Sequence, residues 1–202
     1  MGSVTNDEFP EVDGPEINFT LGYESYLRWD ELKQGVLRIN DEIREVTTSL
    51  WLREIQWLRE NWDISKPIIV PITSPGGGVY YALALYDKFE GLVNNGYRII
   101  MQVEGVAASA AAVLLQAASH RTATRRSRIL IHEVRRWSFM QQRFSDLQDE
   151  TDEMRKLQDS ITTILSNRSK KSVEEIKAVL ERRETWMGAE EALKFGLIDE
   201  VV

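Results

Sequence analysis

An α/β fold around a mostly parallel sheet is what this sequence predicts, on three observations. Short apolar runs at Val36–Ile39, Ile68–Thr73, Tyr97–Val103 and Arg128–His132 alternate with longer stretches whose apolar residues recur at helical spacing. Glycine and proline clusters punctuate the alternation. The 202 residues suffice for one sizeable core, and no internal repeat or linker divides them. Residues 1–20 are rich in Gly, Asp, Glu and Pro and read as a mobile tail, which leaves 21–202 as a single domain.

Taken in order, Val36–Ile39 is a short strand. Glu42 to about Glu60 is helical, with Val46, Leu50, Ile55 and Leu58 on one face and Trp51 and Trp57 off it. The stretch 63–67 ends that helix, and Pro67 introduces the strand Ile68–Thr73. Pro71 within it argues for an edge or a bulge, because proline has no N–H to donate. Ser74–Gly78 is a turn feeding a helix from Val79 to about Val93, whose face is Val79, Leu83, Tyr86, Phe89 and Val93. Asn94-Asn-Gly96 ends it. The strand 97–103 leads through Gly105 and Ser109 to an apolar helix, Ala110–Ala118, and Arg128–His132 is the next strand. A long helix runs from about Phe144 to Leu165, with Leu147, Met154, Leu157, Ile161 and Ile164 at helical spacing. Ser172-Val-Glu-Glu175 is a capping box opening a helix to about Leu180. A last helix, Ala189–Phe195, stops at Gly196, and Leu197-Ile198 is a final strand.

Hydrophobic residues make up 43% and charged residues 28%, the profile of a soluble globular chain. The net charge of −7 disfavours nucleic-acid binding. Seven arginines between Arg121 and Arg143 precede an acidic block from Asp146 to Glu153, and solvated faces are the simplest account of both. The absence of cysteine removes disulfides, thiolate metal sites and a cysteine nucleophile, and fits a reducing compartment. No apolar run reaches membrane-spanning length, and no signal peptide is visible. A cytoplasmic location is the expectation, with a viral or organellar origin left open.

Ser109 stands at a strand-to-helix junction. A serine there is by itself a helix cap, but the unpaired N–H groups of a helix's first turn also favour an anionic oxygen. Of the two histidines, His120 ends the Ala-rich helix and reads as a C-terminal cap. His132 ends an apolar strand, where reactants gather in α/β sheets, although a structural histidine fits there too. Gly76, Gly77 and Gly78 expose backbone donors, but the phosphate-loop and dinucleotide patterns are missing.

Together, Ser74-Pro-Gly-Gly77, Gly105-x-Ala-Ala-Ser109, Ile131-His132 and Met187-Gly-Ala-Glu-Glu-Ala-Leu-Lys-Phe-Gly-Leu-Ile-Asp-Glu-Val201 resemble, in order and spacing, the ClpP peptidase family, the proteolytic subunits of the ATP-dependent Clp protease. The resemblance runs from about residue 34 to the C-terminus. It implies a ClpP/crotonase-like fold of stacked ββα units with a protruding handle helix. It implies a serine endopeptidase needing no cofactor and no metal, with Ser109 as nucleophile and His132 as general base. Gly77 and Ala110 would supply the oxyanion donors, and Gly78 and Val79 would lie along a polypeptide substrate added as a strand. It also implies a homo-oligomer of two stacked heptameric rings, fed by a separate AAA+ unfoldase, with no nucleic-acid or membrane partner.

The chain departs from the family pattern in three places. The third catalytic position, usually aspartate, is Glu184, one methylene longer, with Glu181 the nearest substitute. The usual Gln-Pro-glycine segment after the histidine is Glu133-Val-Arg-Arg-Trp-Ser-Phe139. Trp137 and Phe139 are candidates for packing across the rings, and Arg135 and Arg136 suggest acidic substrates. Two tyrosines that line the unfoldase pocket are replaced by Ile69 and Pro71. Two alternatives stay open. One is a non-catalytic ClpP-like ring subunit; the other is a crotonase-type enzyme acting on acyl-CoA, which shares the fold and a backbone oxyanion hole.

Overall fold

The computed structural model describes residues 22–135, 144–181 and 184–202. The expectations for the tail and for Arg136, Trp137 and Phe139 lie outside these. At the centre, β1 (Ile68–Ser74), β2 (Ile99–Ala108), β3 (His120–Ala123), β4 (Arg128–His132) and β6 (Glu200–Val201) run parallel, and β5 (Glu184–Gly188) runs antiparallel to β4. β2 pairs with β1 along most of its length, with β3 through residues 100–103, and with β4 through 106–108. Gly105, at φ +88°, lies where β2 changes partner from β3 to β4. Val36, Ile39 and Ile43 bridge in parallel to Ile69, Ile72 and Gly77, so the segment 36–43 covers the outer edge of β1.

Pro71 fits β1 because its nitrogen points to that outer side. Ile69 N–H donates to Gly35 and Thr73 N–H to Ile39, both at 2.9 Å, so proline costs only the rung between them. A register shift follows between Ile72 and Ser74 and ends the strand where the glycine turn begins.

Seven α-helices are described: α1 (Tyr23–Lys33), α2 (Glu45–Asn61), α3 (Val79–Asn94), α4 (Ala110–Leu114), α5 (Phe144–Arg168), α6 (Val173–Leu180) and α7 (Ala189–Phe195). The core lies between the sheet and α2, α3 and α4. Ile39, Ile72, Leu85, Phe89, Ile99 and Leu114 are fully buried there, each side chain contributing about 1.5–3 kcal/mol by leaving water. The alanines of α4 are all buried, which lets its backbone sit close to α3 and to β4. The capping box of α6 is present: Glu175 N–H donates to Ser172 Oγ at 3.2 Å and Ser172 N–H to Glu175 Oε2 at 2.8 Å.

Several expectations need correction. Helix α2 begins at Glu45, because Ile43 is held in the glycine turn. Its buried face is Thr48, Trp51, Glu54, Ile55 and Leu58, while Val46 is 77% exposed and Leu50 42%. The stripe is rotated toward Trp51, whose large ring gains more from burial than a valine. Helix α4 gives way to a tighter 3-10 turn at Leu115–Ala117, and His120 opens β3 rather than capping a helix, with Nε2 at 3.1 Å from Glu200. The last strand is Glu200–Val201, and Leu197 and Ile198 precede it as buried coil. Sequence reading missed α1, β3 and β5.

Arg121 is not part of a solvated face either; it is buried. Its guanidinium donates to Asp199 at 2.5 and 3.0 Å and to the carbonyls of Arg168 and Gly196 at 2.9 Å. It thereby ties the ends of α5 and α7 to β3. Burial pushes the Asp199 carboxyl up, but hydrogen bonds from the Arg121 side chain and N–H, with the charges of Arg121 and Arg168, hold it below the ordinary carboxylate value.

Candidate active site

Ser109 is the only non-glycine residue with positive φ among the described residues, at φ 57° and ψ −122°. Its backbone is caught between two elements. Its N–H donates to Leu130 of β4 at 2.9 Å, and its carbonyl accepts from Ala112 and Val113 to start α4. Such a conformation costs about 1–3 kcal/mol and persists only where neighbours impose it. The small Ala108 and Ala110 on either side allow the close packing. The hydroxyl makes no capping bond to its own helix, so the plain N-cap reading does not hold. It faces a groove of about 780 Å³.

The glycine turn rests on this elbow. A Cβ on Gly76 would meet Ala108 O at 2.4 Å, Ser109 Cβ at 2.9 Å and Ala110 N at 3.0 Å, so no side chain fits. The turn is held from behind. Ser74 Oγ donates to Asp41 O at 2.7 Å, Ile43 N–H donates to Gly76 O at 2.7 Å, and Gly78 N–H donates to Ile43 O at 2.8 Å. Gly77, at φ +143°, packs so tightly on Ile43 that its Cβ would lie 2.3 Å from the Ile43 carbonyl oxygen. Its N–H has no acceptor among the described residues. Ala110, the first residue of α4, has no intrahelical acceptor either. Both donors belong to the lining of the groove that holds Ser109, and a developing negative charge would be stabilised by such fixed, unpaired N–H groups.

His132 closes β4 and lines the same groove. Its Nδ1 lies 2.5 Å from the Glu133 carbonyl oxygen. A carbonyl only accepts, so Nδ1 is the protonated nitrogen here, and in the neutral ring this tautomer leaves the lone pair that a base requires on Nε2. Glu184 opens β5 and is the register partner of His132 across the antiparallel pair. Its carboxylate accepts from Arg135 Nη2 at 2.6 Å, and no hydrogen bond joins it to His132. Glu181, exposed at the end of α6, is not part of the groove lining.

One groove therefore collects Gly77, Gly78, Val79, Ser109, Ala110, His132 and Glu184. What it does not do is join Glu184 to the imidazole. Its apolar wall includes Val113, Leu130, Ile161 and Leu165. Tyr80 OH, beside the groove, bonds Glu153 of α5 at 3.2 Å. Sequence reasoning missed Asp41, Ile43 and Glu133, which act through backbone atoms and leave no residue-type signal. Among the described residues, no helix is long and apolar enough to cross a membrane.

Residues 23–202 match the family model for Clp protease. The chain is 33% identical over 166 residues to ATP-dependent Clp protease proteolytic subunit 1 of Protochlamydia amoebophila (strain UWE25), covering 81% of this chain and 78% of that protein. It is 31% identical over 198 residues to ATP-dependent Clp protease proteolytic subunit 2 of Prochlorococcus marinus (strain MIT 9312), covering 95% of each.

Proposed function

Because the chain belongs to the Clp protease family, we propose that it is a serine endopeptidase subunit of a self-compartmentalising Clp-type protease. The observation that carries this reading is the strained Ser109 elbow, open to one groove with His132 and the N–H groups of Gly77 and Ala110, which have no acceptor among the described residues.

Ser109 Oγ attacks the peptide carbonyl while His132 Nε2 takes its proton. The tetrahedral oxyanion is held by Gly77 N–H and Ala110 N–H, each such donor contributing about 10²–10³ in rate. The imidazolium returns the proton to the leaving amine, and water then repeats the sequence on the acyl-enzyme. Glu184, the register partner of His132, orients the imidazole and offsets its charge once its carboxylate is released from Arg135. The substrate lies along Gly78 and Val79. Gly78 N–H is taken by Ile43 at 2.8 Å and its carbonyl accepts from Ala82 N–H at 3.1 Å, so this residue offers the groove its surface.

The subunit assembles into two stacked heptameric rings, fed with unfolded polypeptide by a separate AAA+ unfoldase. Ile69 and Pro71 lack the aromatic faces of the family's tyrosines, so either no unfoldase docks at these positions or a different partner does. A cytoplasmic location suits a chain without cysteine.

Fluorophosphonate labelling of wild type beside Ser109→Ala and Glu184→Ala, with native mass on the same samples, tests the reading. The label should fall on Ser109 and vanish in Ser109→Ala. A folded, assembled wild type that takes no label would overturn it. The engagement of Glu184 by Arg135 is the observation that favours a second reading, a non-catalytic ring subunit, and that unlabelled result would support it.

A further inference from the structure

We propose that Arg135 is a positioning residue that competes with His132 for the Glu184 carboxylate and so sets the fraction of subunits with a complete proton relay. The inference rests on the serine-peptidase reading above.

Three observations on three side chains carry it. His132 and Glu184 are direct register partners on adjacent antiparallel strands, which puts their side chains on one face with Cβ atoms about 4.5–5.5 Å apart. The Glu184 carboxylate is nevertheless bonded to Arg135 Nη2 at 2.6 Å. His132 Nδ1 takes the Glu133 carbonyl instead, at 2.5 Å. The carbonyl fixes the productive tautomer, but it offers the imidazolium a dipole where a carboxylate offers a full charge. The two arrangements differ in two bonds: Glu184 releases Arg135 and His132 Nδ1 releases the Glu133 carbonyl.

The Arg135–Glu184 pair holds the carboxylate only weakly. The side chains of Arg135 and Glu184 are 57% and 46% exposed, and ion pairs at such wet positions are weak and screened by salt. Arg135 therefore tunes the site without locking it. Arg135 also lines the groove, so the Glu184→Gln background separates its action through Glu184 from a contact with substrate.

The test is a four-way cycle on the full chain: wild type, Arg135→Gln, Glu184→Gln and the double variant. Peptide hydrolysis and the rate of fluorophosphonate labelling at Ser109 are both read. Arg135→Gln should raise kcat about two- to fivefold at low ionic strength, with KM nearly unchanged. The gain should fade as salt rises to about 1 M. Arg135→Lys should restore wild-type rates. In the Glu184→Gln background, Arg135→Gln should change nothing. A kcat for Arg135→Gln equal to or below wild type, or the same rise without Glu184, would overturn the proposal while labelling of wild type leaves the peptidase reading intact. Absence of label in all four proteins would overturn both. Label appearing only when Arg135 is removed would support both.

Discussion

Replacing Gly76 with alanine is the sharpest probe of how the glycine turn serves Ser109, because the fold supplies its own control. Gly76 and Gly105 have nearly the same backbone strain for a side chain, at φ +93° and +88°. Either alanine variant should lose about 1–3 kcal/mol from that conformation alone. The surroundings differ. At Gly105 the nearest atom to a new Cβ is Thr73 Cγ2 at 3.9 Å, an ordinary contact; at Gly76 it is the Ala108 carbonyl oxygen at 2.4 Å, with Ser109 Cβ at 2.9 Å behind it. Neither neighbour is a flexible side-chain tip, so the turn itself must move. Overpacking of this kind costs a further 1–3 kcal/mol or so. It also displaces Gly77 N–H from the elbow, and a shift of about 1 Å in a catalytic donor costs on the order of 10²-fold in rate. Urea unfolding gives the stabilities, and the fluorophosphonate labelling rate gives the reactivity. Gly105→Ala should be destabilised but should label near the wild-type rate. Gly76→Ala should be less stable still and should label about a hundredfold slower. Equal stabilities and equal labelling rates for the two variants would refute the claim that the turn is pressed against Ser109, the proposed nucleophile.

Two further outcomes follow from the packing. The rotated face of α2 predicts that Trp51→Ala loses about 3–5 kcal/mol while Val46→Ala stays within about 0.5 kcal/mol of wild type; urea midpoints in the reverse order would restore the face read from periodicity. The Asp199 carboxyl is held below its ordinary value, so its stabilising contribution is fully present above the unfolded value of about 3.9 and is lost as pH falls through the lower folded one. The stability gap between wild type and Asp199→Asn should therefore be constant near neutral pH and close below about pH 4; a gap independent of pH would refute the Arg121–Asp199 account.

Residue types and short spacings made most of the candidate site legible. A serine after Gly105-Val-Ala-Ala, three glycines after Ser74-Pro and a histidine ending an apolar strand are local features, and the strands and helices carrying them have strong periodic signals. The misses were elements without such signals. Helix α1 buries few apolar side chains, chiefly Leu32, with Trp29 set edge-on to Trp57 at 5.0 Å. It is anchored by a charged pair, Arg28 Nη2 to Glu54 at 2.7 Å, which leaves no apolar stripe to read. Strands β3 and β5, His120–Ala123 and Glu184–Gly188, are only four and five residues long and carry no alternating apolar pattern, and exist because β2 and β4 offer ladders to complete. The face of α2 was ambiguous because Ile55 and Leu58 belong to both possible stripes. Only the sheet and α3 beneath it choose between Val46 and Trp51.

By itself, then, the sequence determined which chemical groups are present and, through the four spaced motifs, the resemblance to the Clp protease family that the family model and the relatives share. Tertiary structure decided how those groups are used. It turned Ser109 from a helix cap into a strained, open elbow, and it took up Gly78 N–H while leaving Gly77 N–H without an acceptor. It also set Glu184 on Arg135 and His132 on a backbone carbonyl. The physical reason is that spacing is a property of one stretch of chain, whereas a hydrogen-bond choice compares partners that only folding brings together. At the Glu184 carboxylate that comparison turns on an energy of about 1 kcal/mol or less, which no pattern of residue types encodes.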